Sequence, residues 1–453
     1  MDRDARWVLP IVLLAMGVGC GGADRRPDVL LITVDTLRAD YLGSYGFDEA
    51  TSPWTDALAA EGVLFERAIA ASPATAPSHA SIMTARYPRQ HSVGHSNGGT
   101  RLEGVTLAEI FREAGWETAA FVGNLVLERR TGFDRGFDHY DDEFDRRERN
   151  RAYYERVAEA TTGRALAWLK EHSDAPRFVW VHYQDPHGPY DPPGEDRDRF
   201  DLAPWPGDTA LEVVPGLDGR GGIPEYQAIE GLTLPREYRA RYAGEIHYAD
   251  RWIGRLVAEF RSDARDPIVL LTADHGESLG EHGRYFVHFF TSTPENAHVP
   301  FVLVAPGLAP GRRTETVSHV DVMPTLLELA GLEGPDDMRG LALGPFLRDG
   351  RQLPERDVYC DAGHEVSIYR DRYFVRVLDT SEASASETPR RLNGPPRISA
   401  FPWPAGPSPA ALGRFAEIGP EALAYFASRP QEIRAPDLDA ETRARLRALG
   451  YAP

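Results

Sequence analysis

The sequence predicts an α/β protein built on a doubly wound, mostly parallel sheet flanked by helices, with a smaller C-terminal α+β subdomain. Three observations predict it. Apolar, β-branched-rich runs recur at 28–35, 118–122, 177–182, 267–272 and 299–305, as expected of strands buried on both faces of a parallel sheet. Segments with apolar positions at helical spacing alternate with them, at 55–61, 106–114, 152–171 and 238–261. Such strand–helix alternation builds βαβ units. Beyond residue 352 the pattern shifts to short strand-like runs within 357–378, a Pro/Ser/Gly-rich stretch at 381–409, and helices that end with 441–449.

In chain order, residues 1–19 read as an export signal of the lipoprotein type. Arg3 and Arg6 precede an apolar run at 7–18 that ends in Gly19-Cys20-Gly21. That run is shorter than the ~20 residues a membrane-spanning helix needs. Cys20 would become a lipid-bearing first residue, anchoring the chain at the cell envelope, in the outer membrane or periplasm of a Gram-negative cell. Gly17, Asp2 and Asp4 depart from the usual lipoprotein pattern, so an ordinary cleaved signal or an uncleaved anchor stays open. Residues 20–27 form a polar linker, 28–352 the α/β domain and 353–453 the C-terminal subdomain. The Pro-, Gly- and Asp-rich segment 188–235 is too long for an ordinary connection. It is either a substrate-covering loop or a variable insertion. No solenoid or propeller repeat is present.

The formal net charge of −19 repels nucleic acid and anionic membranes. An anionic substrate would need local positive potential, which a metal ion commonly supplies. With only Cys20 and Cys360, neither a disulfide framework nor a cysteine-based zinc site can be built.

Three stretches carry chemistry, each at or just beyond the carboxyl end of an expected strand, where ligands gather in open α/β sheets. Asp35 ends the first run and suits a hard cation, although a turn or N-cap Asp reads the same way. Asp274 and His275 leave the run 267–272 together and can face one ion, with Gly276 allowing a sharp turn. Thr75 precedes Pro77, which suits a first helical turn. It lies where free N–H groups and the helix dipole favour anions. Its hydroxyl either caps that helix or acts as a nucleophile.

The order and spacing of these stretches resemble the sulfatase family of the alkaline-phosphatase superfamily, over residues 28–347. Thr75, Pro77, Ser78, His79, Thr84, Ala85 and Arg86 fall in register with its nucleophile motif. Asp35 falls on its first metal-binding Asp, and Asp274 with His275 on its late metal pair. The segment 180–192 resembles the one carrying an active-site His, at His187. Segments 115–142 and 321–332 resemble its framework. His288 lies where relatives present a Lys or His. The departures are specific. Thr75 replaces the Cys or Ser that is oxidised to formylglycine, so no formylglycine is expected. His79 replaces an Arg, Thr36 replaces a second Asp, and Asn124 and Val126 fall on the sulfate-gripping Lys and His.

The resemblance implies a hydrolase of sulfate or phosphate esters with one divalent ion. Ca²⁺ comes first by resemblance, with Mn²⁺, Mg²⁺ or Zn²⁺ compatible with the donors. Asp35, Asp274, His275 and Thr75 would hold the ion, which lowers the pKa of the Thr75 hydroxyl. Thr75 would form a covalent ester, His187 or His288 would protonate the leaving oxygen, and His79 and Asn124 would hold substrate oxygens. The substrate would be a sulfated or phosphorylated ester, on a glycan or a lipid. A phosphoryl or phosphoglycerol transferase and a non-catalytic glycan-binding lipoprotein are the alternatives. His182, His282 and His298 read as structural, and the charges at 134–151 as a solvated face.

Overall fold

The apolar runs become strands because both of their faces are covered. The computed structural model describes residues 26–402, apart from 92, 95–101, 145, 148–153, 207, 372 and 379–396. The signal and lipid-anchor expectations for residues 1–25 lie outside the described residues, as do the closing helices beyond 402. The central sheet contains β1 (Val29–Val34), β2 (Val63–Ile69), β3 (Glu117–Val122), β4 (His139–Asp141), β5 (Arg177–Tyr183), β6 (Ile268–Ala273), β7 (His298–Val299), β8 (Phe301–Val304) and β9 (Gly311–Ser318). Across the sheet the order runs β9, β2, then β7 and β8, then β6, β1, β5, β3, β4. Strands β6, β1, β5, β3 and β4 are parallel. The run at 299–305 is antiparallel to its neighbours and is interrupted at Pro300, which has no N–H for the ladder. Strands β2 and β9 carry charged residues that mask their apolar pattern.

The longer helices are α1 (Pro53–Glu61), α2 (Thr75–Thr84), α3 (Leu107–Glu113), α4 (Ala158–Glu171), α5 (Pro235–Asp263) and α6 (Val322–Leu329). Thr106 caps α3, accepting from the Glu109 N–H while the Glu109 carboxylate accepts from the Thr106 N–H, a reciprocal cap that fixes the helix start. Helix α4 starts later than its spacing suggested, because residues 154–155 are extended.

The segment 188–235 is mostly irregular and bonds to residues near the sheet's carboxyl edge. The Gln227 amide and the Tyr226 hydroxyl both donate to the Phe286 carbonyl. Part of the charge cluster at 134–151 is not solvated. Asp141 is buried and pairs with the fully buried Arg156, whose guanidinium also donates to the Val122 carbonyl at 2.8 Å.

The smaller C-terminal sheet is antiparallel, ordered β10 (Val358–Asp361), β11 (Glu365–Arg370), β12 (Tyr373–Leu378), β13 (Arg397–Pro402). Its last strand falls within the Pro/Ser/Gly-rich stretch, where composition argues against a strand. Pairing with β12 overrides that local preference. Glu365 joins this sheet to the main domain by accepting from Ser292 N at 2.8 Å and Thr291 Oγ1 at 3.0 Å.

Candidate active site

Strand register brings the expected residues together. Val34 lies opposite both Ala273 and Tyr183, so Asp35, Asp274 and Gln184 leave three adjacent strands at one level. Thr36 turns the chain away with φ 55°, a left-handed conformation disfavoured for a β-branched residue. That turn directs the Thr36 N–H to Asp274 Oδ1 at 3.1 Å, where the His275 N–H also arrives at 2.7 Å. Gly276 does not have a positive φ. Glycine is required there because a Cβ would stand 2.1 Å from the Glu295 carbonyl oxygen.

Helix α2 begins at Thr75, and its N-cap is Ala74, so the hydroxyl is not used as the cap. Thr75 Oγ1 lies 3.3 Å from His275 Nε2. The Ser78 hydroxyl is within 2.5 Å of the Asp274 carbonyl and 2.8 Å of His319 Nδ1. His319 Nε2 donates to the Ala273 carbonyl at 2.9 Å. These bonds fasten the helix start to the tip of β6. His319 is a support that sequence reasoning missed, since nothing local marks a histidine 45 residues beyond Asp274 as its neighbour.

The donor set fits a cation. His275 Nε2 is 3.8 Å from Asp35 Oδ1 and 3.5 Å from Asp274 Oδ2, and one ligand atom from each residue falls within 4.8 Å of the others. Two donors bound at about 2.0–2.1 Å to one ion can be at most about 4.2 Å apart. Asp35 Oδ1 and Asp274 Oδ2 are buried without a hydrogen-bond partner. Among the described residues neither carboxylate pairs with a Lys or Arg. Burial, then the charge of Asp274, holds the Asp35 carboxyl well above its ordinary range, against the opposing Asn124 hydrogen bond. Removing two anions from water without a counter-charge is costly, and a divalent cation would meet that cost.

His187 and His288 are buried beside this group. Their rings are 5.1 Å apart, and His288 is 4.6 Å from His275. His187 Nδ1 donates to the Gly188 carbonyl at 2.8 Å. His288 Nδ1 is 3.1 Å from the Glu277 carboxyl, which burial pushes up to about 8 despite the nearby His275.

Two expected substrate contacts have other partners. Asn124 donates to Asp35 Oδ2 at 2.6 Å and accepts from Val126 N at 2.9 Å, so it orients the carboxylate. His79 is fully buried at the end of a directional chain. The Trp180 indole donates to Thr33 Oγ1 at 2.9 Å, and Thr33 Oγ1 is 3.0 Å from His79 Nε2. His79 Nδ1 is 2.8 Å from the Thr75 carbonyl and must donate there. Burial lowers the His79 pKa to about 4, so the ring is neutral and Nε2 accepts. Neither ring nitrogen is left for a substrate oxygen. His182, read as structural from sequence, lies inside the site with Nε2 3.7 Å from Asp35 Oδ2. His298 bonds the Glu66 carbonyl, and the His282 side chain is 67% exposed.

A parallel sheet with acidic and imidazole donors converging at its carboxyl edge is an arrangement that could hold a cation beside an anionic substrate. Comparison with known proteins gives the class. The Sulfatase family model matches residues 27–332, and the chain belongs to that family, whose members are sulfuric and phosphoric ester hydrolases. It is 27% identical to an arylsulfatase of Clostridium perfringens, over 78% of this chain and 85% of that one. It is 26% identical to a Δ4,5-hexuronate-2-O-sulfatase of Bacteroides thetaiotaomicron, over 75% of each. In fold it resembles a phosphonate monoester hydrolase from Silicibacter pomeroyi, with a TM-score of 0.68 and 20% identity over 88% of this chain and 95% of that one.

Proposed function

We propose that this protein cleaves a sulfate or phosphate ester through a covalent ester on Thr75, with Asp35, Asp274 and His275 holding one divalent ion. The observation that carries this reading is Thr75 Oγ1, 3.3 Å from His275 Nε2 at the start of a ten-residue buried helix. A divalent ion bound there would supply positive charge toward the ester oxygens and favour ionisation of the hydroxyl. Thr75 Oγ, its proton released to solvent, forms the new bond to sulfur or phosphorus as the bond to the leaving ester oxygen breaks. The first-turn N–H groups of α2 face the developing negative charge. His187 or His288 delivers the proton to the leaving oxygen, and water then cleaves the Thr75 ester. Asn124 orients Asp35, and His79 braces the Thr75 carbonyl.

A threonine cannot become the aldehyde hydrate on which formylglycine chemistry depends, and this favours direct displacement. It also keeps phosphate and phosphonate monoesters beside sulfate esters as substrates. The names of the relatives favour a sulfated glycan as the natural ester. The export signal at 1–19 and lipid on Cys20 complete the proposal, with the enzyme anchored at the cell envelope.

Mass spectrometry of the Thr75 peptide, quenched during turnover of aryl sulfate, aryl phosphate and aryl phosphonate esters, tests the reading. A mass increase of one sulfuryl, phosphoryl or phosphonyl group on Thr75 is expected with the matching ester. Thr75→Ala should lose at least about 10³-fold in kcat while keeping its metal. Turnover that persists in Thr75→Ala would overturn the covalent route. A rate that requires an added alcohol acceptor would convert the assignment to transfer, and no turnover of any ester with any divalent ion would leave a binding protein.

A further inference from the structure

The proposed reaction needs a proton delivered to the leaving oxygen, and two imidazoles stand beside the donor group. Their Nδ1 atoms face different partners. His187 Nδ1 is 2.8 Å from the Gly188 carbonyl. A carbonyl only accepts, so this nitrogen keeps its hydrogen, and a neutral His187 presents Nε2 as an acceptor. His288 Nδ1 is 3.1 Å from Glu277 Oε1. A carboxylate accepts, and a protonated carboxyl also donates.

Glu277 and His288 are both buried, and among the described residues Glu277 forms no ion pair with Arg or Lys. Burying a carboxyl is costly, and this one is set against an imidazole of the site. Two further contacts hold the pair close to Thr75. The Phe289 N–H donates at 2.8 Å to the carbonyl of Pro73, two residues before Thr75. The His275 ring, whose Nε2 is 3.3 Å from Thr75 Oγ1, is 4.6 Å from the His288 ring. Glu277 follows His275 by two residues, so the segment leaving β6 supplies both groups.

We infer that Glu277 is a positioning residue that makes His288, and not His187, the group that protonates the leaving oxygen. The inference rests on the proposed ester cleavage at Thr75 and narrows it. The pair holds one hydrogen between the carboxyl and Nδ1 and presents a second on Nε2. As the bond from sulfur or phosphorus to the leaving oxygen breaks, the Nε2 hydrogen passes to that oxygen and the N–H electron pair stays on the ring. Wherever the shared hydrogen began, it ends on Nδ1 and is donated to a Glu277 carboxylate. Nε2 then takes a proton from the water that cleaves the Thr75 ester, which restores the pair. His187 has a carbonyl at Nδ1, which can neither supply nor hold the shared hydrogen.

The test uses the full chain with its metal. The probes are sulfate, phosphate and phosphonate esters of dinitrophenol, whose anion leaves unaided, and of phenol, whose anion needs a proton. The measured quantity is kcat/KM, which reads the step in which the ester oxygen leaves. Glu277→Gln keeps the side-chain volume and removes the carboxyl. It should lose at least about thirtyfold more on the phenyl ester than on the dinitrophenyl ester. His288→Asn should show the same split, and the two substitutions together should be no slower than His288→Asn alone. His187→Asn should lose equally on both esters. Equal losses on both esters in Glu277→Gln assign it a structural role and overturn the inference, as does a split in His187→Asn without one in His288→Asn. Either result leaves ester cleavage at Thr75 in place. If Glu277→Gln does not fold, Glu277→Asp, which keeps the carboxyl but withdraws it from Nδ1, takes its place, with a split in the same direction expected and its absence decisive. A native protein that hydrolyses none of these esters overturns the underlying reading as well.

Discussion

Two buried aspartates flank β1, and their environments are opposite. Asp28 lies before the strand, at the amino edge of the sheet. Its carboxylate accepts the backbone N–H of Arg177 and of Arg265, each at 2.7 Å, and pairs with both guanidinium groups. Asp35 lies after the strand, at the carboxyl edge. It has one side-chain amide, two imidazoles 3.7 and 3.8 Å away, and an oxygen with no hydrogen-bond partner. The chain completes the first charge by itself and, among the described residues, gives the second no internal counter-charge. Burial alone therefore does not mark a carboxylate as a candidate for ligand binding, and the absence of an internal counter-charge is the feature that separates Asp35 from Asp28.

Exchanging each carboxylate for its amide should break the comparison most visibly. Asp35→Asn is expected to lower kcat/KM by at least about 10³-fold while leaving the metal-free protein as stable or more stable, since one of two adjacent buried anions is removed. Asp28→Asn should cost about 3–5 kcal/mol of stability by leaving Arg177 and Arg265 without their anion, with activity per folded molecule unchanged. Urea unfolding in chelator and initial rates at matched folded concentration separate the two. Equal stability losses in both variants would erase the distinction.

Ion addition should give a smaller effect, confined to one edge. A divalent ion that the protein binds, supplied at about 100 times its dissociation constant, should stabilise the native protein by about 2.7 kcal/mol. It should stabilise Asp28→Asn by the same amount and Asp35→Asn far less. Differential scanning calorimetry with and without the ion measures this, and a full response in Asp35→Asn would place the ion elsewhere.

The smallest effect concerns pH and a histidine outside the donor group. His91 is buried, its Nδ1 accepts the Val93 N–H at 3.0 Å, and its Nε2 donates to Ser81 Oγ at 3.0 Å. Burial lowers its pKa to about 3. Its folded pKa is below the unfolded value, so its contribution is present above about pH 6.5 and is lost as pH falls toward 3. The loss is at most about 1.4 kcal/mol per pH unit. His91→Gln should therefore flatten the fall in urea midpoint between pH 6.5 and 5. An unchanged slope would remove His91 from the acid response.

The parts of the site legible in the sequence were those that one strand tip declares by itself. Asp35 and the Asp274-His275 pair each follow an apolar run, and Thr75 precedes a proline at a helix start. The roles of Asn124 and His79 were not legible, because each depends on a partner from a distant segment. Asn124 faces Asp35, 89 residues away in the chain, and His79 faces Thr33, 46 residues away. The position of His182 was not legible for a related reason. Beside Trp180 and Tyr183 it has the local look of a packed residue, and only the pairing of β5 with β1 brings it to a carboxylate.

By itself, the sequence determined that a mostly parallel sheet forms and, to within a residue, where its strands β1, β3, β5 and β6 end, because buried apolar runs and helical spacing are local patterns. The tertiary structure decided which strand tips are neighbours and which polar atoms stay unsatisfied. Hydrogen-bond satisfaction and charge compensation are sums over every segment that converges on a point, so no single stretch of chain contains them.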